Sequence, residues 1–326
     1  MFKSITKISA IALGAAMLCG TALAQNASTQ PLKIIIGFPA GGALDNLARA
    51  MAEKLRTDLG RTVIVDNKPG ASTHIAATTV KRAPPDGTTI LISPAPPFVT
   101  HPLTYDKLPF DPDKDFIAVA HLADTPLVAT TSASSPYNSM REYLDWVKKN
   151  PKESGVGMVS MGGALHFGLL QLNQDLGISL TPVAYKGAPP MLTDEIGGVL
   201  PVGMDTVASA SELEKARKIK YLGVPGLQRT KLLPNVPTFK EQGVPGFDQA
   251  SSWYAAYLPT GTPATLVSQL EKAMIAIVKD PAFSAKMAQS GMVTTGLPGA
   301  EVTKMIKAQR EAARPIVEKS GYRATQ

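Results

Sequence analysis

The chain has 326 residues, one cysteine, 33 basic against 26 acidic side chains and a formal net charge of +7. A single thiol excludes an internal disulfide framework, and a chain this long can bury its stability in an apolar core instead. The basic excess does not describe a nucleic-acid-binding protein: lysines and arginines alternate with acids, as in "LEKARKIK" and "KAQREAARPIVEK", and no basic run is laced with aromatics.

Lys3 and Lys7 open the chain, an apolar run follows from Ile8 to Leu18, and Ala22-Leu23-Ala24 supplies small residues at the −3 and −1 positions. This pattern predicts a signal peptide over residues 1–24, cleaved after Ala24, and therefore a periplasmic mature chain without a thiol. Cys19 follows Leu18, where lipoprotein processing expects a small residue, so ordinary cleavage is favoured over lipidation. No later stretch reaches the ~18 apolar residues of a membrane-spanning helix. At this length two domains are expected, because single cores stop growing near ~250–300 residues.

The first element, "KIIIGF", reads as a buried strand running into the glycine turn "PAGG". In "ALDNLARAMAEKLRTDLG", Leu44, Leu47, Ala48, Met51, Leu55 and Leu59 share one helical face, and Gly60 stops the helix. "TVIVDN" is a second strand, "HIAATTVKRA" a short helix, "PPDG" a turn and "TTILIS" a third strand. Alternation of this kind predicts parallel pairing through right-handed crossovers. Residues 93–115 are proline-rich without helical period, an irregular connection. After the strands "FIAVAHLA" and "PLVATT" the alternation restarts: "SMREYLDWVKKN" is a helix, "VGMVS" a strand, and "ALHFGLLQLNQDLG" a helix with Leu165, Leu169, Leu172 and Leu176 inward. "LTPVAY", "PPMLTDEIGG", "LPVGMD", "ASELEKARK" and "IKYLGV" complete a second α/β unit. "SWYAAYLP" is one more strand, and two helices end the chain, the last carrying Pro315.

Two α/β units, with the end of the chain returning to the first, predict a two-lobed molecule in which each lobe is a mostly parallel sheet flanked by helices. Lobe 1 is expected over 25–124 and 225–326 and lobe 2 over 125–224, with hinges near 122–128 and 222–226. Ligands of such sheets sit beyond the carboxyl ends of the strands, where loops enter helices.

The loop Phe38, Pro39, Ala40, Gly41, Gly42 lacks both the Walker lysine and G-x-G-x-x-G spacing, so phosphate transfer is excluded. Two glycines before a helix still allow backbone N–H groups and the positive helix end to meet an anion. "VSMGGALHF" repeats the arrangement at Ser160, Gly162 and Gly163, and "AYKGAPP" gives a third junction at Tyr185 to Ala188. Asp45 either serves the helix dipole or meets a ligand hydroxyl or ammonium. His74, His101, His121 and His166 form no metal-binding spacing, and no nucleophile elbow or mature cysteine is present, so neither metal, cofactor nor catalytic residue is assigned. An exported enzyme on this scaffold would have to use Asp45 with His166.

Together, "GFPAGGALDNLAR", "VIVDNKPGAS", "APPDGTTILIS", "KDFIAVAHLA", "PVAYKGAPPMLTDEIGG", "LLPNVPTFKEQGVPGF" and "SWYAAYLPTGTPATLVSQLEKA" resemble the Bug-type extracytoplasmic solute receptors of tripartite tricarboxylate transporters, in collinear order along the mature chain. The resemblance implies a Venus-flytrap binding protein, monomeric, that closes on a small carboxylate and presents it to a membrane permease; a receptor feeding a signalling sensor would look the same. It implies ligand contacts at Phe38, Ala40, Gly41 and Gly42, at Ser160, Gly162 and Gly163, and near Asp45 and Asp205. "GASTHI" and "SPAPPF" depart from the family pattern. They bring His74, Pro94 and Phe98 toward the expected pocket beside His166 and Phe167, which would suit a flat aromatic acid as well as a dicarboxylate.

Overall fold

The computed structural model describes residues 30–248 and 250–324; the expected signal peptide and its cleavage point lie outside them. Strand β1 (Leu32–Ile36) leads into α1 (Ala43–Leu59), β2 (Val63–Asn67), α2 (His74–Lys81) and β3 (Thr89–Pro94). The apolar spacing of α1 buries Leu44, Leu47, Ala48, Met51 and Leu55 against the sheet, and Gly60 ends the helix in the left-handed region at φ 61°. The proline-rich stretch is more ordered than expected, holding two single-turn helices, α3 (Pro96–Val99) and α4 (His101–Thr104). Prolines in the first turn cost no hydrogen bond there, which is why a proline-dense segment can still coil.

β4 (Phe116–Asp124) carries the chain to β5 (Leu127–Ser132), then come α5 (Met140–Lys149), β6 (Gly155–Met158), α6 (Ala164–Leu176), β7 (Thr181–Ala184), α7 (Ala188–Ile196), β8 (Val202–Thr206), α8 (Val207–Lys215) and β9 (Ile219–Gly223). The chain returns through β10 (Trp253–Pro259), α9 (Ala264–Lys279), α10 (Pro281–Gln289), β11 (Val293–Pro298) and α11 (Gly299–Ser320). α10 and β11 had no clear signal in the sequence, because β11 is a sheet-edge strand with Val293 and Leu297 exposed and no alternation to read.

Two sheets result, ordered β11-β4-β10-β3-β1-β2 and β7-β6-β8-β5-β9. They are mixed rather than mostly parallel. β1 pairs in parallel with β2 and β3, and β6 with β7 and β8, whereas β10 runs antiparallel to β3 and β4, β11 to β4, and β5 to β8 and β9. A strand that brings the chain out of a hinge must begin at the cleft, where β3 and β8 end; β10 and β5 are those strands, and they run against their neighbours.

The lobes join at Thr125-Pro126, between β4 and β5, and again near residues 250–252. Thr125 N–H donates to the Ser252 carbonyl at 2.9 Å and the Thr125 hydroxyl to the Ser252 hydroxyl at 2.8 Å, so the two crossings are tied together. The second crossing falls later than the expected 222–226. Phe239, Val244 and Phe247 pack with Leu169, Leu172, Val202 and Met204 in the second lobe's core, which places residues 225–248 with that lobe.

Candidate ligand-binding site

The turn after β1 ends in Gly41, whose φ of 87° is accessible to glycine at little cost, and Gly42, an extended N-cap for α1. Gly41 N–H donates to Asp45 Oδ2 at 3.0 Å, one helical turn ahead. Arg49 Nε donates to the same oxygen at 2.8 Å, and Asn67 Nδ2, at the end of β2, donates to Asp45 Oδ1 at 2.9 Å and to the Phe38 carbonyl at 3.0 Å. Burial opposes ionisation of Asp45, but the bonds from Arg49, Gly41 and Asn67 outweigh it and hold the carboxyl below its ordinary range. Its charge therefore braces the loop from behind.

The loop after β6 repeats this geometry in the other lobe. Gly162 has φ 74°, Gly163 is an extended N-cap for α6, and Gly162 N–H donates to His166 Nδ1 at 3.2 Å, again one turn ahead. Because an N–H donates to Nδ1, that nitrogen is unprotonated and His166 is neutral; burial pushes its pKa down to about 4. With Gly41 and Gly162 engaged internally, the donors left open are those preceding each helix's first intrahelical bond, among them the N–H groups of Ala43 and Leu44 and of Ala164 and Leu165.

Between the lobes lie two small adjoining cavities with about 60 and 20 Å³ of room for a water-sized sphere. The larger is lined by Ser160, Gly163, Ala164 and Leu165 at the start of α6, with Pro94, Leu127, Met158, Met204, Ser251 and Ser252. The smaller is lined by Gly42, Ala43 and Leu44 at the start of α1, facing Gly187, Ala188 and Pro189 at the start of α7. Phe38, Val159, Asp205 and Tyr254 form the wall common to both. The N-termini of α1 and α6 thus serve neighbouring compartments, rather than gripping one point from both sides. α7 adds its dipole but few donors, since Pro189 and Pro190 carry no N–H.

Of the expected site residues, the cavities bring together Phe38, Gly42, Pro94, Ser160, Gly163, Ala188 and Asp205. Tyr185 lines an outer opening with Lys186, and its hydroxyl donates to Asp194 at 2.8 Å. Gly41, Asp45, Gly162 and His166 stand behind the lining as braces, and Ala40 is exposed on the turn. Phe98 stacks on Tyr257 at 3.9 Å within the first lobe's core. His74 lies outside both cavities. Its Nε2 donates to His101 Nδ1 at 2.8 Å, and His101 Nε2 donates across the cleft to the Met161 carbonyl at 3.2 Å; the direction follows because a carbonyl only accepts. Burial depresses both imidazoles, His74 to about 4 and His101, also opposed by His74, to about 3.

Asp45 and His166, the pair an enzyme would need, each bond to their own glycine loop, on opposite lobes. Among the described residues no three His, Cys, Asp or Glu side chains gather as a metal site, and no helix is long and apolar enough to cross a membrane. Sequence reasoning missed Val159, Ser252 and Tyr254. Tyr254 had one usable signal: it opens the strand that leaves the hinge, and that strand begins at the cleft.

Residues 47–322 match the family model described as tripartite tricarboxylate transporter family receptor. A UPF0065 protein of Bordetella bronchiseptica is 31% identical over 299 residues, covering 91% of this chain and 88% of that one. Among solved structures, the periplasmic binding protein BugD is 31% identical at TM-score 0.84, covering 90% of this chain and 99% of its own. An R. palustris protein solved with adipate is 28% identical at TM-score 0.85, covering 91% and 99%. The fold, the paired glycine loops and the family match lead to one assignment: the chain belongs to the tripartite tricarboxylate transporter family of receptors, in its Bug-type branch.

Proposed function

We propose that this protein is a periplasmic, monomeric receptor that captures a small dicarboxylate between its lobes and presents it to the permease of a tripartite tricarboxylate-type transporter. One observation carries the reading. The cleft offers two adjoining compartments, each at a helix N-terminus with open N–H groups, one from each lobe. A ligand with a carboxylate at each end would reach both helix N-termini at once and so draw donors from both lobes. A micromolar complex requires about −8 kcal/mol, within reach of several charge-assisted hydrogen bonds plus a buried aliphatic spacer. The relative solved with adipate supports a diacid. The rings expected to favour a flat acid, His74, Phe98, His166 and Phe167, all lie outside the two cavities, whose aromatic lining is Phe38 and Tyr254.

Gly42→Asp tests the reading. Gly42 sits at φ −85°, ψ 173°, and a Cβ there would meet only the Pro39 carbonyl oxygen at 3.9 Å, so the fold accepts a side chain. Aspartate is a good N-cap, and its carboxylate would take the donors intended for the ligand. The expected outcome is an unchanged or slightly raised melting temperature, with dicarboxylate affinity reduced at least ~10-fold, about 1.4 kcal/mol, by calorimetry. Wild-type affinity in this variant would remove α1 from the site.

A further inference from the structure

Asp205 is a carboxyl group placed where a carboxylate ligand is expected. It is the penultimate residue of β8, lines both cavities and is buried. Among the described residues lining the two cavities, none is Lys, Arg or His, and Asp205 is the one carboxylate. The groups facing it are hydroxyls and backbone: Tyr254 from β10, Ser209 of α8, and the Thr206 N–H. Lys186 lines only the outer opening, which does not include Asp205. A dianion entering this cleft would meet helix dipoles, worth fractions of a charge, and one full like charge.

The geometry points to proton-linked capture: binding of a dicarboxylate takes up one proton from solvent, held between Asp205 and one carboxylate of the ligand. The inference rests on the dicarboxylate reading and deepens it. Two carboxyl groups confined within hydrogen-bonding distance cannot both ionise, and the protonated one becomes a donor to the other. The free protein is already poised for this, since burial raises Asp205 to about 6 against the bonds from Thr206 and Ser209. Below about that pH Asp205 is protonated before the ligand arrives. Above it, each unit of pH charges binding for the proton by a further factor of about ten.

Adipate is the probe. Its titration is followed calorimetrically between pH 6 and 8.5, where aliphatic carboxyls are ionised, and at pH 7.5 in two buffers of different ionisation enthalpy. The expected result is a dissociation constant that rises ~10-fold per pH unit above pH 6.5 and a buffer-dependent heat equal to about one proton. Asp205→Asn, which carries an N–H donor at every pH, should bind adipate with pH-independent affinity close to that of the wild type at pH 6, and so tighter than the wild type at pH 8. A flat wild-type profile without buffer-dependent heat overturns proton linkage and leaves carboxylate capture standing. Equal pH dependence in wild type and variant assigns the proton elsewhere and overturns the role of Asp205. Loss of adipate binding in the folded variant, which keeps a donor at that position, overturns the role of Asp205 as a proton-carrying donor to the ligand. If the variant does not fold, the wild-type buffer comparison decides alone. Absence of adipate binding at every pH fails both this inference and the dicarboxylate reading.

Discussion

An aspartate in the first turn of a helix that receives an anion would repel its ligand if the charge were free. At Asp45 it is not. Both oxygens point back into the loop, accepting from Gly41, Arg49 and Asn67. The sequence left two roles open for this residue because the direction of a side chain depends on partners far along the chain, here an asparagine 22 positions on. Asp45→Asn should turn an NH2 toward one set of those donors, leaving a buried donor unmet at a cost of ~1–3 kcal/mol, read as a lower urea midpoint at pH 7. The pH dependence has a definite sign. The folded carboxyl lies below its ordinary value, so its stabilisation is complete above about pH 4 and is lost as the pH falls through the folded value. The gap between wild type and variant should therefore narrow in strong acid, and a gap that widened there would contradict the bracing role.

The helices and strands with strong apolar periods were legible, and α6 marks where legibility ends. Of its four leucines expected inward, Leu169 and Leu172 are fully buried, Leu165 lines the larger cavity and Leu176 is partly exposed at the helix end. Periodicity gives a face but not what the face meets. The same limit hid the role of Gly168, a glycine in mid-helix that propensity alone marks as a weakness. A Cβ at that position would lie 2.4 Å from Phe247 Cδ1, so the glycine admits the ring that anchors residues 225–248 to the second lobe. No local pattern ties those residues to that lobe, and the expected lobe boundary was misplaced for this reason. Gly168→Ala should gain ~1 kcal/mol of helix propensity and lose more by displacing Phe247, for a net destabilisation of ~1–3 kcal/mol. Chemical denaturation would show it, and a stabilised variant would mean that Phe247 moves aside freely.

At the scale of the whole molecule, two lobes were foreseeable from the repeated alternation, but the polar groups they bury together were not. All four histidines are depressed by burial, His74, His121 and His166 to about 4 and His101, with His74 a further cause, to about 3. Two buried acids move the other way, Glu195 to about 7 and Asp205 to about 6, each through burial. The two sets oppose each other. Between about pH 6.5 and 4 the unfolded chain binds more protons at the histidines, so their contribution is complete above pH 6.5 and is lost on acidification. The acids bind more protons when folded, so their contribution is complete below about pH 4 and is lost as the pH rises through their raised values. Near pH 5.5 the histidines outnumber the acids by roughly one to two protons, which makes stability fall by ~1–3 kcal/mol per pH unit toward acid. Guanidinium titrations at pH 7, 6 and 5 should show that slope. Asp205→Asn removes one opposing proton, so the same titrations on that variant should fall more steeply, by about one additional proton. An unchanged slope would mean that Asp205 is ionised in the free protein throughout this range, and the cleft would then meet its ligand with a fixed negative charge.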